Sequence, residues 1–340
     1  MFCPSIYTSY GNQLTGAATP MSRMRGLASL CLMLLVSATS SCVGRGSSPE
    51  AFAAPAETVD LASPDVRVAL PFPPGISPET QCGKTNDLQD VELYDGKLGV
   101  TRQYVDSNEP STVQLQWLSA EKISQRLKNH SPGNVGGARW CSGTLYDDRH
   151  VLTAGHCFDV QDGNSGWTSP FSLEQGVRKF ASPEAIAKLQ VANFHYQVNK
   201  DTGTIRAPEV FPIVELLEHR RGGLDYAIVS LGPNSGGKFP GQLFSPRPIL
   251  TRKPVDKEAI AVIQHPQGLP KKIEAGRILR MSGNSVLYDD VDTFGGSSGS
   301  GVRDASGSVI AVHTNGGCTA SGGANQGVAT SAIAEQSDQF

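Results

Sequence analysis

Short runs of β-branched and apolar residues, separated by turns rich in Gly, Pro and Asp, are the feature of this sequence that most restricts its fold. Seven such runs stand at 112–117, 140–145, 150–154, 225–231, 259–264, 273–280 and 309–313. The chain also has 37 Gly and only 18% charged residues, a balance that suits strands and turns better than a helical bundle. The sequence therefore predicts an all-β protein.

Two short helices are expected between the strands. The first covers 120–129, with Ile123 and Leu127 on one face. The second covers 183–190, where Ser182 supplies the cap and Pro183 occupies the first helical position. Residues 158–222 form a long stretch of 65 residues between two of the predicted strands, so we expect additional surface loops there.

Length and charge exclude several classes of protein. A chain of 340 residues allows one large domain or two modest ones. Its net charge of −3 comes from scattered acidic and basic residues, whereas nucleic-acid binders normally present a basic surface. We expect a monomer that does not bind nucleic acid.

The amino-terminal region has the pattern of an export signal. Residues 26–38 read GLASLCLMLLVSA, with Arg23 and Arg25 just before them and small residues after them, up to Cys42. The apolar run is shorter than the roughly 20 residues needed to span a bilayer. A basic start, an apolar middle and a small-residue end predict a signal peptide within 1–42. A buried core helix and an over-extended gene start are the alternative interpretations of this region.

Cys42 leaves the mode of export open. Bacterial lipoprotein signals also end in a cysteine after small residues, and that cysteine is lipidated, but Thr39 stands where such signals usually have an apolar residue. The alternative is secretion after cleavage near Ala38. The protein is therefore expected to be secreted, periplasmic or held in the cell envelope through a lipid on Cys42.

The next segment is rich in proline. Seven prolines fall between positions 49 and 78, and proline removes a backbone donor and fixes φ. Residues 43–90 are therefore predicted to form a linker or a pro-region, followed by one folded domain over 91–340.

Four of the seven cysteines follow the leader, an even number that fits disulfide bonding in an oxidising compartment. Cys141 and Cys157 flank a predicted hairpin whose antiparallel strands bring them together, so we pair them. Cys82 and Cys318 then pair by elimination. A zinc site built from Cys141, His156 and Cys157 is a poorer alternative, since neighbouring side chains diverge and no CxxC pair is present.

Three polar clusters far apart in the sequence carry the chemistry. The clusters are LTAGHC at 152–157, GLDYAIVSL at 223–231 and TFGGSSGSG at 293–301. Alone, the histidine, the aspartate and the Gly/Ser loop each have an ordinary structural interpretation. Together they supply an imidazole base, a carboxylate that orients it and a serine nucleophile, which are the parts of nucleophilic acyl transfer.

These motifs resemble those of a known family. TAGHC, DYAIVSL and GSSGSG, in this order, are similar to the His, Asp and Ser motifs of trypsin-like serine peptidases. The segments at 263–273 (IQHPQGLPKKI) and 309–318 (VIAVHTNGGC) resemble the bacterial branch that includes the glutamyl endopeptidases. The resemblance covers about 91–334.

The resemblance implies a fold and a set of roles. The fold would be two six-stranded antiparallel β-barrels with the site in the cleft between them. His156 would be the base, Asp225 the orienting carboxylate and Ser298 the nucleophile. The backbone N–H groups of Gly296 and Ser298 would form the oxyanion hole, and the Cys141–Cys157 pairing matches the disulfide next to the family's histidine. Of the serines in this loop, only Ser298 has glycine two positions before it and directly after it; Gly301 stands where the family often has proline.

Two residues compete to determine the substrate side chain recognised before the cleaved bond (P1). His313 resembles the pocket histidine of the glutamyl endopeptidases and would bind an acidic side chain. Asp292 lies six residues before Ser298, the register of the acid that binds Lys or Arg in trypsin. Thr293, Asn315 and Gly316 are expected beside them.

These observations predict a secreted serine endopeptidase that acts on polypeptides, needs no cofactor or metal and is made with a pro-region. A preference for Glu or Asp at P1 is favoured over one for Lys or Arg. An envelope-anchored lipoprotein and a non-catalytic binding module on the same fold are the alternatives.

Overall fold

The protein is described by a computed structural model over residues 79–340. The predicted signal peptide at 1–42, with Cys42, and the proline-rich stretch up to residue 78 lie outside the described residues. Within 79–340, none of the helices has the length and apolar character needed to cross a bilayer.

The regular structure of residues 79–340 consists mainly of strands. The helices are α1 (Arg102–Asn108), α2 (Ala120–Arg126), α3 (Pro183–Lys188) and α4 (Thr330–Ala334). The strands of the first half are β1 (Glu79–Thr80), β2 (Gln89–Asp90), β3 (Thr112–Trp117), β4 (Arg139–Leu145), β5 (His150–Thr153), β6 (Phe171–Glu174), β7 (Val177–Phe180), β8 (Gln190–Phe194), β9 (Glu209–Arg220) and β10 (Tyr226–Leu231). The strands of the second half are β11 (Ala259–Gln264), β12 (Lys272–Arg277), β13 (Arg280–Ser282), β14 (Ser285–Tyr288), β15 (Thr293–Phe294), β16 (Gly301–Arg303), β17 (Val309–Asn315) and β18 (Asn325–Ala329).

The first half of the described chain forms a closed barrel. Its six strands are antiparallel and follow the order β10-β5-β4-β3-β8-β9 around the ring. Apolar side chains from all six strands fill the interior. Every residue of β10 is buried, which is typical of a strand covered on both faces.

The second half forms an antiparallel sheet in the order β13-β14-β18-β17-β16-β11-β12-β2. Only Ile278 and Leu279 separate β12 from β13, so the two form one bent strand that pairs with β11 at one end and with β14 at the other. With β12 and β13 counted as one strand, six strands close the second barrel, and β2 is an additional strand paired with β12. The predicted all-β fold with two antiparallel barrels is confirmed.

The amino-terminal part of the described chain belongs to the second barrel. β1 pairs with β15, β2 pairs with β12, and a disulfide joins Cys82 to Cys318. Val91 is buried in a small apolar cluster just after β2. The folded region therefore includes residues 79–90, upstream of the boundary at residue 91 that the sequence analysis expects, because these pairings are long-range and leave no local pattern.

Both predicted helices are present and are shorter than expected. Ser119 caps α2 by accepting a hydrogen bond from the Lys122 N–H, and Ser182 caps α3 in the same way. α2 ends at Arg126, before Asn129 adopts a left-handed backbone with φ of 66°. α3 ends at Lys188 because Gln190 already begins β8.

The long segment before Asp225 contains more than surface loops. It holds the two-stranded β6–β7 hairpin and α3, and it also supplies β8 and β9, two of the six barrel strands. The sequence analysis missed these two strands because polar residues interrupt them; β9 alone includes four charged side chains.

Buried polar contacts join the two barrels. The Lys271 ammonium group, which has no exposed surface, lies 2.7 Å from a carboxylate oxygen of Glu109. The guanidinium group of Arg303, equally buried, donates to the hydroxyls of Ser111 and Thr112 at the start of β3. These contacts hold the first barrel against the second, and the predicted site lies between them.

Candidate active site

His156 lies in the short 3-10 turn Gly155–Phe158 that follows β5. A disulfide between Cys157 and Cys141 ties this turn to β4, as the sequence analysis predicts. The turn also requires glycine before the histidine, since a Cβ atom on Gly155 would lie 2.3 Å from the Arg220 carbonyl oxygen and 3.0 Å from Oδ1 of Asp225.

Asp225 precedes β10 and binds His156 through both carboxylate oxygens. Oδ2 lies 2.7 Å from Nδ1 of the imidazole, and Oδ1 accepts a hydrogen bond of 2.9 Å from the His156 backbone N–H. Burial acts to raise the pKa of Asp225, but the hydrogen bonds and charge of His156, with the charge of Arg221, lower it to about 2. The carboxylate is therefore ionised at neutral pH and can orient the ring.

The loop that carries Ser298 runs from β15 to β16 and is attached to the first barrel. The Ser142 backbone N–H donates to the Ser298 carbonyl at 2.8 Å, and the Ser142 hydroxyl donates to the Gly296 carbonyl at 2.8 Å. Gly299 has φ of 90°, and a Cβ atom there would meet the Thr153 hydroxyl at 2.1 Å. The glycine after the serine is thus required both by the turn and by the close approach of the barrels.

Hydrogen bonds also fix the peptide groups of the predicted oxyanion hole. The Gly295 carbonyl accepts from the Gln267 N–H at 2.5 Å, and the Ser297 carbonyl accepts from the Ser300 N–H at 3.0 Å. In a trans peptide the N–H points away from the C=O. The N–H groups of Gly296 and Ser298 are therefore held in fixed directions, but their role as oxyanion donors stays a prediction.

A cavity of about 340 Å³ lies between the barrels and brings His156 and Ser298 together on its wall. The other lining residues are Trp140, Cys141, Gln161, Trp167, Phe294, Gly295, Gly296, His313, Thr314, Asn315 and Gly316. None of these lining residues carries a carboxylate or a Lys or Arg side chain. The three polar clusters of the sequence thus meet at one cleft, with Asp225 behind the imidazole.

His313 lines the cavity from β17 and is almost fully buried. Its Nδ1 lies 2.5 Å from the Tyr288 hydroxyl. Burial and the nearby His156 imidazole lower the pKa of His313 to about 3, although a hydrogen bond to the backbone of Gln326 opposes the shift. The ring is neutral at neutral pH in the absence of a ligand.

Of the other residues expected at the pocket, Asn315 and Gly316 line the cavity, whereas Asp292 and Thr293 do not. The Asp292 carboxylate accepts hydrogen bonds from the backbone N–H groups of Cys82 (2.6 Å) and Asp87 (3.1 Å). Thr293 is fully buried and pairs with Thr80 in the β1–β15 ladder. The expectation that Asp292 and Thr293 face a substrate side chain is therefore corrected: Asp292 anchors the amino-terminal segment.

The metal alternative rests on Cys141, His156 and Cys157, whose potential ligand atoms lie within 4.8 Å of one another. The two sulfur atoms are bonded to each other. A disulfide has no thiolate to offer a zinc ion, so this set does not fit the metal that the alternative required.

Sequence reasoning missed several residues of the site. Trp140 directly precedes Cys141. Because Cys141 is bonded to Cys157, the neighbour of His156, the predicted disulfide already places Trp140 close to the histidine. Trp167, which contacts Trp140 edge-to-face at 5.5 Å, lies in the segment assigned to surface loops. Arg221 lies 2.7 Å from the Asp225 carboxylate. The only sequence signal for this contact is that Arg221 precedes Asp225 by four residues.

Comparison with protein families finds a match to the folded region of the chain. A family model for the trypsin-like peptidase domain matches residues 141–312. No curated protein matches the chain in sequence.

Three solved structures are similar to the chain at low identity. A Glu endopeptidase in complex with MPD is 16% identical, with a TM-score of 0.46, and the match covers 75% of this chain and 96% of that one. The thermostable serine protease AL20 from an extremophilic microorganism is 17% identical, with a TM-score of 0.44 and coverages of 68% and 95%. A serine endoprotease from Yersinia pestis is 15% identical, with a TM-score of 0.42 and coverages of 68% and 63%.

Replacing Ser142 by alanine should slow catalysis more than it weakens substrate binding. The Gly296 carbonyl would lose its donor, and the loop that carries Ser298 would lose one of the hydrogen bonds that fix it. We expect kcat to fall about 10-fold with little change in KM, measured on a peptide substrate after titration of active sites.

Ser300→Ala is the matched control. The Ser300 hydroxyl is buried in the same loop and has no hydrogen-bond partner among the described residues, so its removal should leave kcat nearly unchanged. Equal losses in the two variants, or an effect on KM alone, would contradict the role given to Ser142.

Proposed function

The chain belongs to the trypsin-like peptidase family, whose model matches just over half of it, and is a serine endopeptidase; we propose that it cleaves polypeptides through an acyl-enzyme on Ser298. The observation that carries this proposal is the cavity whose wall includes both His156 and Ser298. Asp225 binds the far side of the imidazole. This arrangement matches the roles of base, orienting carboxylate and nucleophile.

The contact with Asp225 sets the tautomer of His156. An ionised carboxylate only accepts hydrogen bonds, so Nδ1 carries the hydrogen that lies on Oδ2 of Asp225. Nε2 is then unprotonated and can accept a proton from the Ser298 hydroxyl. A serine hydroxyl is a weak nucleophile until such a base removes its proton.

Catalysis proceeds in two halves. Ser298 Oγ bonds to the substrate carbonyl carbon while its proton passes to Nε2 of His156. The tetrahedral intermediate collapses as the C–N bond breaks, and His156 gives that proton to the departing amine. A water molecule then repeats the sequence on the acyl-enzyme, losing a proton to His156 and releasing the acid and the free serine. The N–H groups of Gly296 and Ser298 would stabilise the oxyanion in both halves.

The finer proposal is a preference for Glu or Asp at P1. The cavity wall offers hydrogen-bond donors on His313, Thr314 and Asn315 and has no carboxylate that could pair with a Lys or Arg side chain. Asp292 is already engaged with backbone N–H groups of the amino-terminal segment. A bound substrate carboxylate would also favour the protonated form of His313.

We also propose that the enzyme is exported and processed, with the signal peptide and pro-region predicted over 1–90. The two disulfides support an oxidising compartment. Expression in a bacterial host should yield a soluble exported product that has lost the leader, measured by amino-terminal sequencing. A lipid-labelled product that begins at Cys42 would indicate membrane anchoring instead of secretion. An intact cytoplasmic product would contradict export.

The nucleophile can be identified by covalent labelling. A fluorophosphonate reagent should modify Ser298, and Ser298→Ala should lose both labelling and hydrolysis because the variant lacks the hydroxyl that forms the covalent bond. Mass spectrometry of the labelled peptide and a peptide-cleavage assay give the two readouts. Ser300→Ala should still be labelled, whereas hydrolysis that persists in Ser298→Ala would rule out the assignment.

A peptide-library cleavage profile tests the P1 preference. We expect cleavage after Glu and Asp. His313→Ala should lower the ratio of kcat/KM for Glu at P1 to kcat/KM for Gln at P1 by about 10- to 100-fold, the effect of losing a hydrogen bond to a charged group. Tyr288→Phe keeps the imidazole and should cause a smaller loss. Asp292→Asn should leave the preference unchanged. The proposal would be contradicted if the wild-type enzyme cleaved after Lys or Arg and Asp292→Asn abolished that cleavage.

A further inference from the structure

Besides His156, Asp225 has a second partner, the guanidinium group of Arg221. Arg221 places Nη1 2.7 Å from Oδ1 of Asp225, and its Nε lies 2.8 Å from Oδ2 of Asp159. We propose that Arg221 is a positioning residue that holds the Asp225 carboxylate and reduces the proton affinity of His156, so that the base stays free at lower pH. This inference rests on the proposed function, in which His156 is the base.

The geometry gives Arg221 a defined place in the site. It follows the last residue of β9, and the chain then turns through Gly222 and Gly223, which have φ of 75° and 116°. The turn carries the chain back into β10, so the guanidinium group and the carboxylate four residues later face each other. Oδ1 of Asp225 thereby accepts from Arg221 on one side and from the His156 backbone N–H on the other.

Arg221 competes electrostatically with the imidazolium form of His156. A carboxylate stabilises a protonated histidine beside it, and a second cation on the same carboxylate weakens that stabilisation. The Asp225 side chain is only 15% exposed, whereas Arg221 is 44% exposed. Solvent therefore screens the charge of Arg221 in part, and its effect should be moderate.

The other ionisable groups around this pair are few. Asp159 binds Arg221 and also lies 3.4 Å from Nε2 of His219. The hydrogen bond to Asp159 raises the pKa of His219, although burial opposes it. On the cavity side, His313 is neutral because its pKa is lowered. Removal of Arg221 would leave Asp159 and Asp225 as two acidic groups near His156, and this favours the protonated ring.

The test is the pH dependence of kcat/KM in Arg221→Gln. We expect its acid limb to move to higher pH by about half a unit or more, because the protonated form of His156 is then stabilised. Arg221→Lys keeps the charge and should return the limb towards the wild-type position. The shift should shrink in 1 M salt, where screening acts within about 3 Å.

Arg220→Gln is the matched control, since it removes the same charge from the preceding, exposed residue, for which the structure records no ion pair with Asp225. Its acid limb should stay at the wild-type position. A fall in kcat for Arg221→Gln with an unmoved acid limb would reduce Arg221 to a structural residue and overturn the proposal.

A measurement without catalysis separates this proposal from the function it rests on. An NMR titration of the His156 ring, made in the Ser298→Ala background with and without Arg221→Gln, should show the same upward shift of the midpoint. Coincident titrations overturn the proposal for Arg221. A shifted midpoint, together with a wild-type protein that hydrolyses no peptide, would support the electrostatic role and contradict the proposed function instead.

Discussion

The hydrogen bonds at Ser142 are the contact on which the site depends. This one residue of the first barrel holds the carbonyl groups of Gly296 and Ser298 in the second. Its hydroxyl also accepts the His265 N–H at 3.0 Å, so the turn that carries Gln267 is tied to the same point. The loop that carries Ser298 is thus fixed through its backbone carbonyls. This leaves the Ser298 hydroxyl and the neighbouring N–H groups available for the roles proposed for them.

The two barrels have different tasks. The first supplies His156 and Asp225, which are joined by two hydrogen bonds and stiffened by the disulfide beside them. The second supplies Ser298 and the wall that includes His313. The buried Lys271–Glu109 pair keeps these halves together at a distance from the chemistry. Breaking such a pair would leave an uncompensated buried charge, so the relative placement of His156 and Ser298 is protected by contacts that lie outside the cavity.

Much of this arrangement could be predicted where a local pattern carries the information. The cap at Ser182 marks the start of a helix, and the glycines around Ser298 mark the tight loop that carries it. Prediction failed where the partner is distant in the sequence. Asp292 has the register of a pocket acid, yet its carboxylate binds N–H groups about two hundred residues away. Arg221 gave no signal beyond its position four residues before Asp225, because an arginine in a glycine-rich turn is ordinary until the fold places Asp225 against it.

The two disulfides differ greatly in the length of chain they enclose. Cys141 and Cys157 are 16 residues apart, whereas Cys82 and Cys318 are 236 apart. Closing a short loop costs less entropy than closing a long one, so the bond between Cys141 and Cys157 is expected to form first. Until Cys318 is brought close, Cys141 and Cys157 are the alternative partners of Cys82 among the cysteines of residues 79–340. Early closure of the hairpin removes both of them, so the difference in loop length itself guards against a scrambled product.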